Sequence, residues 1–512
     1  MILTLGFSRR LLRQFYSSLN QFASIRSHSR SFATGFFSVL PESGTFRMSN
    51  ISQPLILRPF RSIFSFPRIP NQRLRFRGMR YPPRNVTLGF NHAGLTHYGG
   101  AFFLHEFARV LQIRHFLARH LDWERRNSRY TLSQMVLALA WPLILGLDRI
   151  ETASLLRCNG TFQFLTGLQS FPDPQTLRRF LLRAPLPLAN QLRRVNDRLL
   201  QFVTHLPAHR SRLILDLDST VVTTFGHQEG ASIGYNPRYR GKRSYQPLLC
   251  VEAGSAHLLA ALLRPGRTDP HSGTVELFRD CWSNLPSEVR EIRVRADAGF
   301  WDNGFLTELE DRETQYTLVA QLRPPLRHLL PGLKYQRVNA DWEIAECEYQ
   351  FPAGSEPRRH VVARQLVETA EHHLTLFQLG RYYYRGWVTN MDLTPPGIGR
   401  FYDGRAAIEI RIRELREDFA FANIPTRAFA ANNLYLEVIR FAYNLVTAFQ
   451  RMCLPSSWQS FTLRTLRHKL FLLPASLVRP HNRPVLRLHK TPDIEPLAHH
   501  ILTKIAKIPA LG

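Results

Sequence analysis

Cysteine is scarce and scattered in this chain of 512 residues. A disulfide-stabilised fold or a structural zinc site needs cysteines paired at short or regular spacings. The cysteines here are five in number, far apart and never arranged as C-x-x-C: Cys158, Cys250, Cys281, Cys347 and Cys453. The sequence therefore predicts neither a disulfide framework nor a zinc site, and it fits a reducing compartment.

Acidic residues are also few, with 39 Asp and Glu against 67 Lys and Arg, which gives a formal net charge of +28 and a pI of about 10.8. An excess of this size is typical of proteins that bind a polyanion, with nucleic acid favoured over an anionic membrane. Arginine supplies nearly all of the positive charge, and its planar guanidinium can bind two phosphate oxygens at once.

No apolar run reaches the roughly 20 residues that a membrane-spanning helix needs. The longest candidate, MVLALAWPLILGL from Met135 to Leu147, is too short and contains Pro142. Apolar residues still make up 44% of the chain, so a large core is available. The composition therefore favours a folded nucleic-acid-binding protein over a membrane protein.

Residues 1–78 differ in composition from the rest of the chain. They are rich in Arg, Ser and Phe, contain no Lys and carry a single acid, Glu42. Such a segment resembles an organellar transit peptide, for which RSFATG at Arg30 to Gly35 would be the cleavage site. It also fits upstream DNA translated from a misassigned start, with Met79 as the true beginning. We favour the misassigned start and leave this segment out of the predicted fold.

The rest of the chain divides by the period of its apolar residues. Residues 95–205 repeat them at spacings of three and four, which predicts a helical region. Residues 210–454 alternate short apolar runs with helical patterns, which predicts an α/β core. Within it, residues 335–392 are β-rich and are interpreted as an inserted sheet rather than a continuation of the core. Residues 455–512 are interpreted as a basic, irregular tail.

One predicted strand, LILDLDSTVV from Leu213 to Val222, ends in two aspartates, Asp216 and Asp218. A phosphatase of the haloacid dehalogenase type uses such a pair as nucleophile and acid/base, whereas a polynucleotidyl transferase uses one of them to hold a divalent metal ion. A second strand ends in Asp297, with Asp302 shortly after it, and is compatible with both chemistries. An Asp at a strand end is also common as a simple turn residue.

The segment FYDGRAAIEIRIRELR distinguishes the two chemistries. If it forms one helix, Tyr402, Arg405, Glu409 and Arg416 share a stripe about 60° wide at about 100° per residue. Apolar residues lie beside that stripe and would pack on the core: Phe401, Ile408, Ile412, Leu415 and Phe419. The carboxylate can then bind a metal ion while the arginines hold phosphates. A solvated helix with Arg–Glu pairs has the same spacing, but a phosphatase gives this helix no role.

The pattern Y-x2-R-x3-E-x6-R resembles the Y-R-E-K signature of DDE transposases of bacterial insertion sequences. The stretch FGHQEGASIGYNPRYRGKRSYQPLL, followed by LRPG and VRADAGF, is similar to the insertion sequence 1380 family. The resemblance runs from roughly Asn91 to Leu454. One position departs from it: the final lysine of the signature is Arg416 here, which keeps the charge but changes the geometry of a phosphate contact.

The resemblance implies a ribonuclease H-like core with three acids that bind two Mg²⁺ or Mn²⁺ ions, cut the ends of the element and join them to target DNA. It makes Asp297 the second acid and Glu409 the third. Side chains two apart on a strand share a face, so periodicity leaves the first acid open between Asp216 and Asp218. The family's first acid directly precedes a small hydroxyl pair, and this favours Asp218. An inactive, transposase-derived DNA-binding protein remains the alternative.

The resemblance also implies double-stranded DNA as the partner, both terminal inverted repeats and target, with a dimer in the synaptic complex and action on DNA in the bacterial cytoplasm. The helical region is expected to read the repeats. Tyr402, Arg405 and Arg416 are expected to contact DNA, as is a basic loop formed by Arg238, Arg240, Lys242 and Arg243.

Aromatic and histidine residues of the β-rich segment carry weaker expectations. Trp342 and Trp387 could support an unstacked base, but packing in the core is the favoured role. His360, His372 and His373 are interpreted as ordinary surface histidines, because their spacing is not that of a metal site.

Overall fold

The computed structural model describes residues 92–126, 128–168, 170–205, 211–286, 288–350, 355–367 and 377–511. The extension 1–78, the alternative start Met79, and both His372 and His373 lie outside these described residues. None of the helices that the structure describes combines the length and the hydropathy required to cross a membrane.

The first part of the described chain is helical, as the apolar spacing predicts. A two-residue strand, β1 (Leu95–Thr96), precedes helices α1 (Ala101–Val110), α2 (Ile113–His120), α3 (Leu132–Leu145), α4 (Ser154–Arg157), α5 (Gly160–Leu165), α6 (Pro174–Arg183) and α7 (Leu186–His205). Thr131 begins α3 with a capping box to Gln134, which satisfies backbone donors at its N-terminus. The apolar run of α3 is buried on nearly all sides, which explains its continuous hydrophobicity without a membrane.

A mixed sheet follows. Its strands are β2 (Arg212–Ser219), β6 (Leu248–Glu252), β7 (Leu258–Leu262), β8 (Glu291–Ala296) and β9 (Gln315–Val319), and helices α8 (Thr274–Ser283), α9 (Asn303–Asp311) and α10 (Pro324–Leu329) join or follow them. Three short strands between β2 and β6 form a separate small sheet: β3 (Val222–Thr223), β4 (Ser232–Ile233) and β5 (Arg243–Tyr245).

The strand order is β7-β6-β2-β8-β9, with β2, β8 and β9 parallel and β6 and β7 antiparallel to their neighbours. A meander thus supplies one half of the sheet, and a helical crossover through α9 joins the parallel strands β8 and β9. This mixed arrangement is consistent with the ribonuclease H-like core that the resemblance implies.

The β-rich segment does not form an inserted sheet of its own, so that interpretation is wrong. Its strands are β10 (Gln336–Arg337), β11 (Trp342–Tyr349), β12 (Arg358–Leu366), β13 (Phe377–Leu379) and β14 (Tyr382–Thr389). β14 pairs antiparallel with β9, so these strands extend the central sheet to ten strands in the part of the chain described here. The physical reason is the outer edge of β9, whose backbone groups would otherwise be left without partners.

Helices return after the sheet. They are α11 (Pro395–Asp403), α12 (Ala406–Asp418) and the long α13 (Phe429–Cys453). The single helix predicted over FYDGRAAIEIRIRELR is therefore two helices, which meet at Gly404 and Arg405. α13 is buried along most of its length and contacts α3, α7 and β7, so it joins the helical region to the sheet.

The C-terminal segment is ordered, and its interpretation as an irregular tail is wrong. It contains α14 (Leu463–Leu466), the hairpin β15 (Ala475–Val478) and β16 (Val485–Leu488), and α15 (Ile494–Ile505). β15 pairs with β1 at the other end of the described chain, and α15 buries Leu497, Ile501 and Ile505 against α1 and α13. These three residues are four positions apart, which is a helical spacing. The many basic residues of this segment concealed that spacing in the sequence.

A buried charge network fastens α7 to α13. Arg440 is almost fully buried; its guanidinium lies 2.6 Å from Asp197 and 3.3 Å from Glu437. Asn196 also donates to Glu437, at 2.9 Å. Arg193 joins Glu437 to Asp280 of α8, at 3.2 and 3.0 Å. Since an unpaired buried charge is costly, these elements hold one another in place.

Arg440→Met tests this network. The substitution removes the buried cation that Asp197 and Glu437 share and leaves Glu437 with Arg193 alone, and we expect the free energy of unfolding to fall by about 3–5 kcal/mol. The measurement is denaturant unfolding followed by circular dichroism. Lys490→Met is the matched control, because its ion pair with Glu495 is exposed and should contribute nothing measurable. Equal midpoints for the two variants would show that the network does not stabilise the fold.

Candidate functional site

Two of the predicted acids meet at one edge of the central sheet. Asp218 lies at the end of β2, and Asp297 directly follows β8, the parallel neighbour of β2. Because parallel neighbours end at the same sheet edge, their carboxylates converge there. The Asp297 side chain also accepts a hydrogen bond from the Gly299 backbone at 2.9 Å, which fixes the turn after β8.

Asp216 is a buried structural acid in this arrangement. Its side chain is 1% exposed, and both of its oxygens accept hydrogen bonds from Arg295, at 2.6 and 2.9 Å. Arg295 lies beside it in the parallel register of β2 and β8. Burial raises the pKa of Asp216, while the guanidinium opposes that effect. A phosphatase nucleophile must reach solvent and substrate, and Asp216 reaches neither.

Arg405 links the two converging acids. Its Nη2 lies 2.9 Å from Asp218 Oδ1 and 3.9 Å from Asp297 Oδ2, and it also donates to the Leu217 carbonyl at 3.1 Å. The side chain can reach this position because Arg405 lies at the junction of α11 and α12 and not inside a continuous helix. One guanidinium thus compensates part of the repulsion between two neighbouring carboxylates.

The Asp218 carboxyl has an altered acidity. Burial raises its pKa to about 6, with Arg405 lowering it and the charge of Asp297 raising it further. The side chain is 13% exposed, against 41% for Asp297. A carboxyl with this pKa binds protons within the physiological range, as is common for groups at functional sites.

Glu409 lies outside this pair. It is exposed, in the first turn of α12, one helical turn beyond Arg405. Among the described residues no three His, Cys, Asp or Glu side chains lie close enough together to hold a metal ion. The donor chemistry nevertheless suits Mg²⁺ or Mn²⁺, because Asp218 and Asp297 offer carboxylate oxygens to one shared cation.

The broken helix changes the predicted stripe. Glu409 and Arg416 share a face of α12, but Tyr402 belongs to α11 and packs in a small core with Trp387 and Ile398. Burial raises the pKa of Tyr402. The apolar face is largely confirmed, since Ile408, Ile412, Leu415 and Phe419 are buried and Phe401 is partly buried.

Arg416 reaches the end of β2 from α12. Its Nη1 lies 3.4 Å from the Thr220 hydroxyl, two residues from Asp218. Burial lowers the pKa of Arg416, and the charge of Arg238 lowers it further, so the basic loop approaches the same edge of the sheet. Tyr402 and Arg405 are engaged in contacts within the protein, and their contacts with DNA stay predictions.

Sequence reasoning missed two arginines of the site. Arg295 precedes Asp297 by two positions, just as Asp216 precedes Asp218. Because residues two apart on a strand share a face, this spacing could have indicated that Arg295 lies beside Asp216. Arg264, in the LRPG motif, donates to the carbonyls of Gln246, Asp269, Pro270 and Ser272. It thereby holds the loop that packs against Gly299, next to Asp297.

The β-rich segment supplies core residues. Trp387 is buried beside Tyr402, and Trp342 is partly buried against the same core, so packing is confirmed for both. His360 is not a surface histidine: it is 1% exposed on β12, between the rings of Trp301 and Tyr349. Burial lowers its pKa to about 4, so it is neutral in the folded protein near pH 7.

Two solved transposase structures show a low similarity to this chain. The piggyBac transposase synaptic complex with hairpin DNA is similar at a TM-score of 0.40 and 13% identity, over 74% of this chain and 82% of that one. The Drosophila P element transposase strand transfer complex is similar at a TM-score of 0.18 and 13% identity, over 40% and 42%. No curated protein matches the chain significantly.

The family model described as "Transposase DDE domain group 1" matches residues 81–510. It does not distinguish the insertion sequence 1380 family, which remains a prediction, and it leaves no place for the phosphatase alternative. Since the match covers most of the chain, the protein belongs to the DDE transposase family, domain group 1.

Proposed function

We propose that the chain is the transposase of a bacterial insertion sequence of the 1380 type, which cuts the ends of its element and joins them to target DNA by metal-dependent phosphoryl transfer. The observation that carries the proposal is the convergence of Asp218 and Asp297 on one cation, the Arg405 guanidinium. Two acids that share a cation at adjacent ends of parallel strands could offer their oxygens to a divalent metal ion in its place.

In this proposal the core is ribonuclease H-like, and Asp218, Asp297 and Glu409 would hold two Mg²⁺ or Mn²⁺ ions. The bound ions would supply charge stabilisation at phosphorus and an activated water or 3′-hydroxyl. Arg416 and the basic loop hold phosphates of double-stranded DNA, and the helical region reads the inverted repeats. Two copies of the chain bring two ends together, in the cytoplasm where bacterial DNA lies.

A DNA-binding protein without activity is the second candidate. It is favoured by the position of Glu409, which is exposed and outside the pair of converging acids. The two candidates differ in chemistry but not in DNA affinity, because affinity comes from many dispersed phosphate contacts.

Substitution of the acids separates the candidates. In Asp218→Asn, Asp297→Asn and Glu409→Gln we expect cleavage of labelled element ends to fall by at least about a thousandfold, because metal binding is lost, while DNA affinity stays within about twofold. The measurement is gel-resolved cleavage with Mg²⁺ or Mn²⁺, beside a binding assay.

Asp302→Asn is the matched control for these variants. Asp302 lies in the same loop but caps α9 through the Phe305 backbone at 3.0 Å, and Asn caps equally well. Asp216→Asn should lower thermal stability, because it breaks the buried pair with Arg295. If Glu409→Gln cuts at the wild-type rate, or if wild type binds ends but never cuts them, the proposed three-acid site is wrong.

Arg405 should compete with divalent ions. Removing the guanidinium in Arg405→Met frees the oxygens of Asp218 and leaves two like charges close together, so we expect Mn²⁺ to bind roughly tenfold to a hundredfold more tightly. Titration calorimetry of the DNA-free protein measures this directly. Arg416→Met is the control, because Arg416 contacts the Thr220 hydroxyl and forms no ion pair with a carboxylate in the part of the chain that the structure describes. Weaker Mn²⁺ binding in a folded Arg405→Met would show that the guanidinium supports the metal site instead.

Metal binding should depend on pH through Asp218. With a pKa of about 6, this carboxyl is mostly protonated at pH 5, and Mn²⁺ must displace the proton. We expect roughly tenfold weaker Mn²⁺ binding at pH 5 than at pH 7.5, whereas a carboxyl near pKa 4 would give almost no change. In the metal-free protein, the pH dependence of folding stability has the opposite sign. The raised pKa stabilises the folded protein below about pH 4, and this contribution is lost as the pH rises through about 6. A flat affinity between pH 5 and 7.5 would contradict a ligand role for an Asp218 carboxyl with a pKa of about 6.

A further inference from the structure

The small sheet beside the candidate site carries an aromatic–basic surface, which we define as Phe225, Tyr235, Tyr239, Arg238, Arg240 and Lys242. The aromatic side chains are unusually open to solvent, with exposures of 77% for Phe225, 74% for Tyr235 and 41% for Tyr239. Large apolar side chains that cluster on a protein surface usually mark a binding site.

The cations of this surface have no acidic partner among the residues that the structure describes. Arg238, Arg240 and Lys242 form no ion pair within the described residues, although many arginines elsewhere in the chain do. Arg238 also lies near Arg416, and the two like charges reinforce each other's attraction for an anion. The partner of this surface is therefore negatively charged, and the exposed rings require that it also offer a flat apolar face.

The surface is held rigidly beside the acids. Only Thr220 and Val221 separate β2, with Asp218, from β3, and Arg416 reaches Thr220 from α12. Two glycines of the sequence motifs meet behind the surface: a Cβ on Gly234 would lie 2.3 Å from the Gly266 carbonyl oxygen, and one on Gly266 would lie 1.9 Å from that of Ser244. No side chain fits there, so the small sheet packs backbone to backbone on the LRPG loop.

Side-chain contacts also order the loop that carries the rings. Asn236, in the GYNP motif, donates to Thr223 and accepts from the Tyr239 backbone, both at 3.0 Å. Phe225 and Tyr239 then meet edge to face, with ring centroids 5.8 Å apart and planes at 78°. The Arg238 guanidinium lies 5.5 Å from the Tyr239 ring. Rings fixed in this way present a face to a ligand at low entropic cost.

We propose that the aromatic–basic surface stacks an unpaired base of the DNA next to the scissile phosphate, with Phe225 and Tyr239 as the stacking rings and the adjacent cations on the flanking phosphates. The inference rests on the proposed function and adds to it which residues hold the opened strand. Flat bases supply the apolar face and phosphates supply the negative charge, so single-stranded DNA satisfies both requirements of the surface.

The experiment compares two forked duplexes made from the end of the element, one with a normal unpaired nucleotide beside the cut and one with an abasic residue there. With Ca²⁺ in place of Mg²⁺, we expect wild type to bind the first roughly fivefold to a hundredfold more tightly, as stacking of one base does. Phe225→Ala should bind both equally, and Tyr239→Phe should keep the preference because the ring remains. Arg240→Ala should weaken binding to both duplexes alike, since it removes only charge.

Phe164→Ala is the control, because Phe164 is an exposed ring on α5 outside this surface and its loss should leave the preference unchanged. A second readout uses 5-iodouracil at the unpaired position, which should photocrosslink to Phe225 or Tyr239 in wild type. If wild type binds element ends specifically but shows neither preference nor crosslink, the stacking inference is overturned and the proposed function stands. If it does not distinguish element ends from unrelated DNA, the proposed function fails. If Phe225→Ala changes the sedimentation of the free protein while the base preference persists, the surface is an interface between copies and the inference is wrong.

Discussion

The site depends on one electrostatic constraint: β2 carries two aspartates on one face, and both are largely removed from water. A buried carboxylate is tolerated only when a cation and hydrogen bonds compensate the lost hydration. Two arginines from different parts of the chain do this. Arg295 of β8 pairs with Asp216, and Arg405, between α11 and α12, pairs with Asp218. The parallel pairing of β2 with β8 brings Arg295 to Asp216, and the junction of the two helices brings Arg405 to Asp218.

The break between α11 and α12 serves the same requirement. Arg295 Nη1 donates to the Phe401 carbonyl at 2.8 Å, and a Cβ on residue 404 would lie 2.3 Å from that nitrogen. Glycine at this position therefore lets one guanidinium reach the end of α11, and the chain then turns so that Arg405 reaches Asp218. The periodicity of FYDGRAAIEIRIRELR contains no sign of this, because it reports only which residues are apolar, and Ile408, Ile412 and Leu415 are buried in either case.

The fold could be predicted from the sequence where the local pattern of apolar residues determines an element. It could not be predicted where an element depends on pairing with residues far away in the sequence. Apolar runs that end in Asp predicted β2 and β8, and apolar spacings of three and four predicted the helical region over residues 95–205. The edge to which β14 adds, and the pairing of β15 with β1, depend on residues far apart in sequence and carry no local signal. In the candidate site, the residue types at the two strand ends could be read directly. The choice between Asp216 and Asp218 could not, because both face the same side and only their arginine partners differ.

The arginines of the site differ in whether an aspartate neutralises them, and this difference separates an inner pair from an outer pair. The inner arginines, Arg295 and Arg405, are already neutralised by aspartates, so they offer little net attraction to a distant phosphate. Farther out, Arg416 and Arg238 lie close to each other, and neither forms an ion pair among the described residues. An approaching polyanion is therefore attracted first to the outer cations. It would meet the acids only after those cations are neutralised, so the charge balance around Asp218 would change last.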